Sequence, residues 1–278
     1  MAPTEKKPFN VLVTGFGPFR SYAHNPSWLG VFPLHNTTHP TPSHTIHFIC
    51  FRVPTSYATI LALILPLYAR PPQLPESQYP PTPGGTKAPY EPGDPVPQAL
   101  PPPPEGGYDL VIHVGAGHAG HLALESQAHK TGYRIEDWEG QLPPVVSDFL
   151  PESAPTAAER GEMARLGLGG LFAQEGKGKR GFGTGYEQFP ELLPAEGDVP
   201  SLVEYLKSCG LEHTLHSTDA GHYCCDFIYY CSLAESQRLG VGKGSKVQFM
   251  HIPPPGEPYE SEQVSEAIRR IAEFYAGV

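Results

Sequence analysis

An α/β fold, with a mostly parallel sheet covered on both faces by helices, is what this 278-residue sequence predicts, and three observations predict it. Short apolar runs of strand length alternate with helix-compatible stretches along most of the chain. The run Leu110–Val114 is continuously apolar except for one histidine, as a strand buried on both faces should be. A hydrophobic content of 39% supplies enough material for a sizeable core.

Taken in order, Phe9 to Val13 reads as a first strand ended by Gly15, and Pro26 to Phe32 as a helix capped by Asn25. His44 to Phe51 alternates like a strand, Tyr57 to Tyr68 is helical, and Asp109 to Val114 is a strand. Leu202 to Cys209 and Tyr223 to Ala234 read as helices, Val247 to Ile252 as a strand, and Glu262 to Tyr275 as an amphipathic helix. Leu122 to Trp138 fits neither period cleanly and includes a candidate hairpin.

Two stretches interrupt the alternation. Residues 71–107 hold fourteen prolines and little apolar content, which predicts a disordered or polyproline-like loop. Residues 140–198 are rich in Gly, Pro and Glu, with a short helix expected at Thr156 to Leu166. Both are expected as peripheral insertions in one domain spanning residues 1–278, the second also being placed to cover an active site.

A formal charge of -10, with basic residues clustered only at Lys177 to Arg180, excludes nucleic acid and anionic membranes as natural partners. Five cysteines, an odd number without C-x-x-C spacing, point to a reducing compartment and hence the cytoplasm. The basic N-terminal residues precede only a few apolar ones before Gly-Phe-Gly-Pro, so this segment reads as a strand and not a signal peptide. No run approaches the roughly 18 apolar residues that a membrane span requires.

Chemistry concentrates in Ser217 to Tyr230, STDAGHYCCDFIYY, where a tight turn delivers two cysteines to the start of a helix. First-turn amides favour thiolate over thiol, lowering a free-cysteine pKa of about 8.5 toward the reactive range. Cys224 or Cys225 is therefore a candidate nucleophile. His251, at the end of the strand run KVQFMHI, is the candidate base, and Glu125 in LALESQAH the candidate group that orients it. Each residue alone has a plainer reading: a buried thiol, a structural imidazole, a solvated carboxylate.

Two other patterns compete. Gly115, Gly117 and Gly120 fit G-x-G-x-x-G after a strand, with Glu136 or Asp137 near the spacing of a ribose-binding acid, which would make the chain a dinucleotide-dependent oxidoreductase. The expected long helix does not follow, so a strand-to-loop turn is the better reading; Gly176, Gly178 and Gly181 repeat the pattern without a preceding strand. His113, His118 and His121 match no strong ligand spacing, and neither metal nor cofactor is expected.

With these residues assembled, the chain resembles pyroglutamyl peptidase type I, the pyrrolidone-carboxylate cysteine peptidases. Four ordered blocks carry the likeness: VTGFGPF at Val13 to Phe19 with NPSW at Asn25 to Trp28; His113 to Gly117 followed by LES and by Gly132-Tyr133; Ser217 to Leu233; and FMHIPPPGEPY at Phe249 to Tyr259. The resemblance implies a three-layer α/β/α sandwich of the phosphorylase/hydrolase-like kind, with a twisted central sheet. It also implies a triad of Cys225, His251 and Glu125, selecting Cys225 because it precedes Asp226. The implied activity is removal of an N-terminal pyroglutamyl residue from peptides through a thioester, with amides at the start of the Cys225 helix and at Gly117 as oxyanion donors. Phe16 and Phe19 are the implied walls of the lactam pocket, and Arg134 a further residue near the substrate.

Three departures stand out: Ala116 where bacterial members carry glutamine, Arg20 in place of a glycine, and the two insertions, which bear on substrate preference and leave the oligomeric state open. A catalytically idle homologue, acting as a binding protein through its insertions, is the alternative within the same fold.

Overall fold

In a computed structural model, the protein is described for residues 6–19, 22–81, 92–147, 178–238 and 244–278, together with Ala157, Arg160, Gly161 and Ala164. Seven strands form the central sheet in the order β10-β5-β11-β4-β1-β3-β2. They are β1 (Lys7–Phe16), β2 (Thr37–Pro40), β3 (His44–Val53), β4 (Leu110–Ala116), β5 (Leu122–Glu125), β10 (Thr214–Ser217) and β11 (Lys246–Ile252). Four short strands, β6 (Gln127–His129), β7 (Val145–Ser147), β8 (Lys179–Arg180) and β9 (Leu192–Pro194), pair outside it as β6-β9 and β7-β8. Parallel pairing prevails; β2 with β3 and β5 with β11 are antiparallel.

Side-chain alternation along the strands fills two separate cores. On one face Leu12, Phe51, Val111, Val247 and Phe249 meet helices α2 (Tyr57–Leu67) and α4 (Cys224–Gln237). On the other, Val11, Val13, Ile46, Ile112 and Met250 meet α1 (Pro26–Val31), α3 (Val199–Ser208) and α5 (Ser261–Ala276). This is the expected α/β/α layering. The helix starts follow local chemistry: Asn25 accepts from the Ser27 amide, Ser56 from Thr59, and Asp198 from Ser201. A reciprocal Glu260–Gln263 capping box opens α5.

The Leu122–Trp138 segment is not a hairpin. Its two strands split at Ser126, so that β5 joins the main sheet between β10 and β11 while β6 turns away to pair with β9. The helix expected at Thr156 to Leu166 lies largely outside the described residues, as do Arg20, Gly176 and Lys177.

The described part of 71–107, for which a disordered or polyproline-like loop is expected, contains no helix or strand and docks on the sheet through a few residues. Strand β2 covers β3 only as far as Phe48. Beyond it, the exposed edge of β3 is satisfied piecemeal: Cys50 N–H donates to His35 Nδ1, Gln78 Nε2 donates to the Cys50 carbonyl, and Arg52 N–H donates to the Gln78 carbonyl. Tyr79 adds a hydroxyl that accepts from Trp28 Nε1 at 2.9 Å, and Asp94 pairs with Arg52. Proline removes donors from such a strap, but these few polar contacts fix its course.

Candidate active site

The strand period places three residues on the face that α4 covers. In β11, Phe249 and His251 point to this side while Met250 and Ile252 enter the opposite core. In β5, Glu125 lies across from Phe249 and Ala123 across from His251. In β4, Gly115 is the register partner of His251. Glu125 and His251 are thus diagonal neighbours on two antiparallel strands, and Glu125 Oε1 lies 2.8 Å from His251 Nδ1. The Glu125 main chain is held as well, its carbonyl accepting from Tyr229 Oη at 2.9 Å and Gln248 Nε2 at 3.0 Å.

Cys225 approaches from α4, whose first intrahelical bond runs from Phe227 N–H to the Tyr223 carbonyl. Its Sγ sits directly over Gly115, where a Cβ would stand 2.8 Å from the sulfur. Gly117 leaves space in the same way for His251, whose Cβ would be 2.9 Å from an added methyl. With Nδ1 taken by Glu125, the remaining ring nitrogen is the one available to Cys225. Cys225 keeps 7% of its surface exposed; Cys224 is fully enclosed on the same helical turn.

Electrostatics follow from this packing. Burial alone pulls the His251 imidazolium down, yet hydrogen bonds to Cys225 and Glu125 and their charges outweigh it and raise the pKa to about 10. An imidazolium in that position is the counter-ion that a thiolate requires. A cavity of about 210 Å³ opens beside it, lined by His118, His121, Leu215, Asp219 and Gly221 as well as Glu125 and His251. Ala157, from the second interruption of the pattern, also lines this cavity.

Other expected positions fall around this centre. Phe16 and Phe19 are buried in the same cluster as Cys225, with Phe19 5.5 Å from the Tyr223 ring and 6.1 Å from Trp138. Arg134 is half-buried on the segment after β6, and Ala116 is buried at the end of β4. Gly117 requires a correction: its N–H donates to the Ile252 carbonyl at 2.7 Å, so it is not free to serve an oxyanion. First-turn amides of α4 have no acceptor within the helix.

The glycine pattern after β4 also loses its dinucleotide reading, since Gly120 leads into β5 and not into a helix. Gly115 and Gly117 serve instead to admit Cys225 and His251. Of the three histidines considered for metal, His113 is buried with Nδ1 2.7 Å from Thr14 Oγ1, and burial depresses its pKa to about 3. His118 is exposed and His121 half-buried at the cavity.

No family model matches the chain. Among curated proteins, pyroglutamyl-peptidase 1 of Rattus norvegicus is 27% identical over 270 residues, covering 96% of this chain and 90% of the relative. The Homo sapiens protein of the same name is 26% identical over 265 residues, covering 95% and 88%. The chain resembles pyroglutamyl peptidase I along nearly its whole length. Solved structures agree on the fold: pyroglutamyl peptidase I of Bacillus amyloliquefaciens superposes with a TM-score of 0.63 at 19% identity, covering 97% of this chain and 98% of that one. The pyrrolidone carboxyl peptidase of Fervidobacterium islandicum gives 0.61 at 20% identity, covering 97% and 99%. Among the described residues, no helix is long and apolar enough to cross a membrane.

Proposed function

We propose that this chain is a cysteine peptidase that removes an N-terminal pyroglutamyl residue from peptides, with Cys225 as nucleophile, His251 as acid and base, and Glu125 as the group that orients His251. The observation that carries this reading is the chain of contacts from Glu125 through His251 to Cys225 at the start of a helix. Near-complete alignment with pyroglutamyl-peptidase 1 supports the substrate class.

In the reaction, Cys225 Sγ attacks the carbonyl carbon joining the pyroglutamyl ring to the next residue, and the carbonyl oxygen takes the negative charge. First-turn amides of α4 stabilise it, at about 3 kcal/mol per donor in a comparable site. The C–N bond then breaks as the His251 imidazolium gives its proton to the leaving amine, producing a pyroglutamyl thioester. Water, deprotonated by the now neutral His251, attacks the thioester; the C–S bond breaks, free pyroglutamate leaves, and the thiolate and imidazolium are restored. Glu125 keeps the Nδ1 proton in place throughout.

The pyroglutamyl ring has no ammonium group, so it is recognised by shape and by its lactam hydrogen bonds. Phe16 and Phe19, with Tyr223 beside Phe19, are the proposed apolar walls, and Arg134, on the loop after β6, is a further proposed substrate contact. The cytoplasm is the proposed compartment, consistent with five free cysteines that include the exposed Cys209.

Release of aminocoumarin from a pyroglutamyl-aminocoumarin substrate under reducing conditions tests the proposal. Folded protein that hydrolyses none of it would leave the idle-homologue alternative standing.

A further inference from the structure

At the helix start stands a group of donors that the peptidase chemistry does not use. Asp226, fully buried in the first turn of α4, accepts the His129 main-chain N–H through Oδ1 at 2.9 Å. Its Oδ2 lies 2.9 Å from His129 Nδ1. The His222 ring lies against that of His129, with centroids 3.9 Å apart and planes inclined by 32°. One donor atom from each of the three residues falls within 4.8 Å of the others.

The backbone is arranged to bring the His222 ring there. His222 has φ +48°, in the left-handed region that disfavours a side chain of this size, and follows Gly221 at φ +91°. Opposite, Gly132 at φ +102° leaves the space that the ring fills; a Cβ on it would stand 2.8 Å from His222 Cδ2. Histidine enters this region more readily than most side chains, and residues held there collect at functional sites. Both imidazoles retain access to solvent, their side chains being 14% and 12% exposed, which provides an entry path.

We propose that His129, His222 and Asp226 bind a divalent transition metal of the zinc class. Two imidazole nitrogens and one carboxylate oxygen suit a borderline ion and are too poor in oxygen for calcium or magnesium. Bonds of about 2.0–2.2 Å require the stacked His129 and His222 rings to swing until their in-plane nitrogens converge on the ion. Binding at His129 Nδ1 displaces the proton that it shares with Asp226, to Nε2 from the neutral ring or to solvent from the imidazolium, and Oδ1 of the same carboxylate retains the His129 amide as an outer-shell bond. A fourth position remains for water or for Asp219, whose Oδ1 is 4.0 Å from His222 Nδ1.

The test uses metal binding alone and is therefore independent of the proposed reaction. Full-length protein carrying Cys225→Ser and Cys209→Ser, which lacks both the proposed nucleophile and the exposed thiol, is stripped with a chelator. It is then titrated with Zn²⁺ by calorimetry and with Co²⁺ by absorption. One equivalent should bind, and the Co²⁺ complex should show visible bands without thiolate charge transfer. His222→Gly, which suits the left-handed backbone, should weaken Zn²⁺ binding by at least about tenfold, as should His129→Gln with circular dichroism unchanged. Absence of saturable binding in the Cys225→Ser, Cys209→Ser protein, or equal affinity in the folded His222→Gly protein, overturns the proposal.

Discussion

Glu125 Oε1 and His251 Nδ1 meet at 2.8 Å on the sheet face roofed by the Cys225 helix, and this contact makes a titration that the fold must feel. The pKa of His251 is raised to about 10 in the folded protein, against about 6.5 for a free imidazole. Its contribution to stability is therefore complete below about pH 6.5 and is lost as pH rises through about 10, because the folded state binds the extra proton. Glu125→Gln removes one of the groups that raise it. The variant should melt below the parent at pH 6, and the gap should narrow steadily toward pH 10. Parallel melting curves across that window would show that the pair is not coupled to folding.

The cysteine pair separates nucleophile from neighbour. Cys225 retains some exposure beside His251, whereas Cys224 is enclosed. Cys225→Ser should reduce pyroglutamyl-aminocoumarin turnover by at least about a thousandfold. Cys224→Ser should keep most of the turnover but lower the urea midpoint, since it exchanges a fully enclosed, weakly polar thiol for a more polar hydroxyl. The reverse pattern would exchange the two assignments.

The two glycines of β4 and its following turn make a sharper geometric prediction. At Gly115 an added methyl meets Cys225 Sγ at 2.8 Å, with Phe249 Cζ equally close, so the sulfur has to move. Displacement of a reacting atom by about 1 Å costs on the order of a hundredfold in rate. Gly115→Ala should therefore lower kcat by about that factor while KM changes little, because the sulfur and not the ring pocket is disturbed. If KM rises instead and kcat holds, Gly115 lines the substrate site and the sulfur lies elsewhere.

Legibility from sequence followed the length and periodicity of each element. β1, β3, β4 and β11, with the longer helices, announced themselves because each carries an unbroken apolar run or a clear helical face. β2 and β10 did not: TTHP and TLHS are short, polar edge strands that owe their conformation to pairing with β3 and β5. Cys225 and His251 stand out as candidates because one opens a strong helix and the other closes a strong strand, whereas Glu125 lies in a segment of no clear period. Their meeting depends on β5 running antiparallel to β11, which no local pattern states. The Gly117 hydrogen bond and the His129–Asp226 pair, 97 positions apart, are likewise products of tertiary packing.

The strap over β3 supplies the last prediction. Composition argues for disorder in 71–107, because proline-rich sequence buries little and donates few hydrogen bonds. Gln78 nevertheless is fully buried, donating through Nε2 to the Cys50 carbonyl at 3.1 Å and accepting the Gln98 amide on Oε1 at 2.8 Å. One side chain thus ties the two arms of the strap to each other and to the sheet edge that β2 leaves uncovered. Gln78→Ala strips both partners at once: it leaves the Cys50 carbonyl unpaired in a buried place, at about 1–3 kcal/mol, while the amide of the exposed Gln98 turns to water. Its urea midpoint should fall, and limited proteolysis should cut within 71–107 faster than in the parent. Peptidase turnover at saturating substrate should change little, since the strap lies on β3, two strands from β4 and three from β11. Unchanged stability and cleavage rate would mean that the strap rests on the sheet without holding its edge.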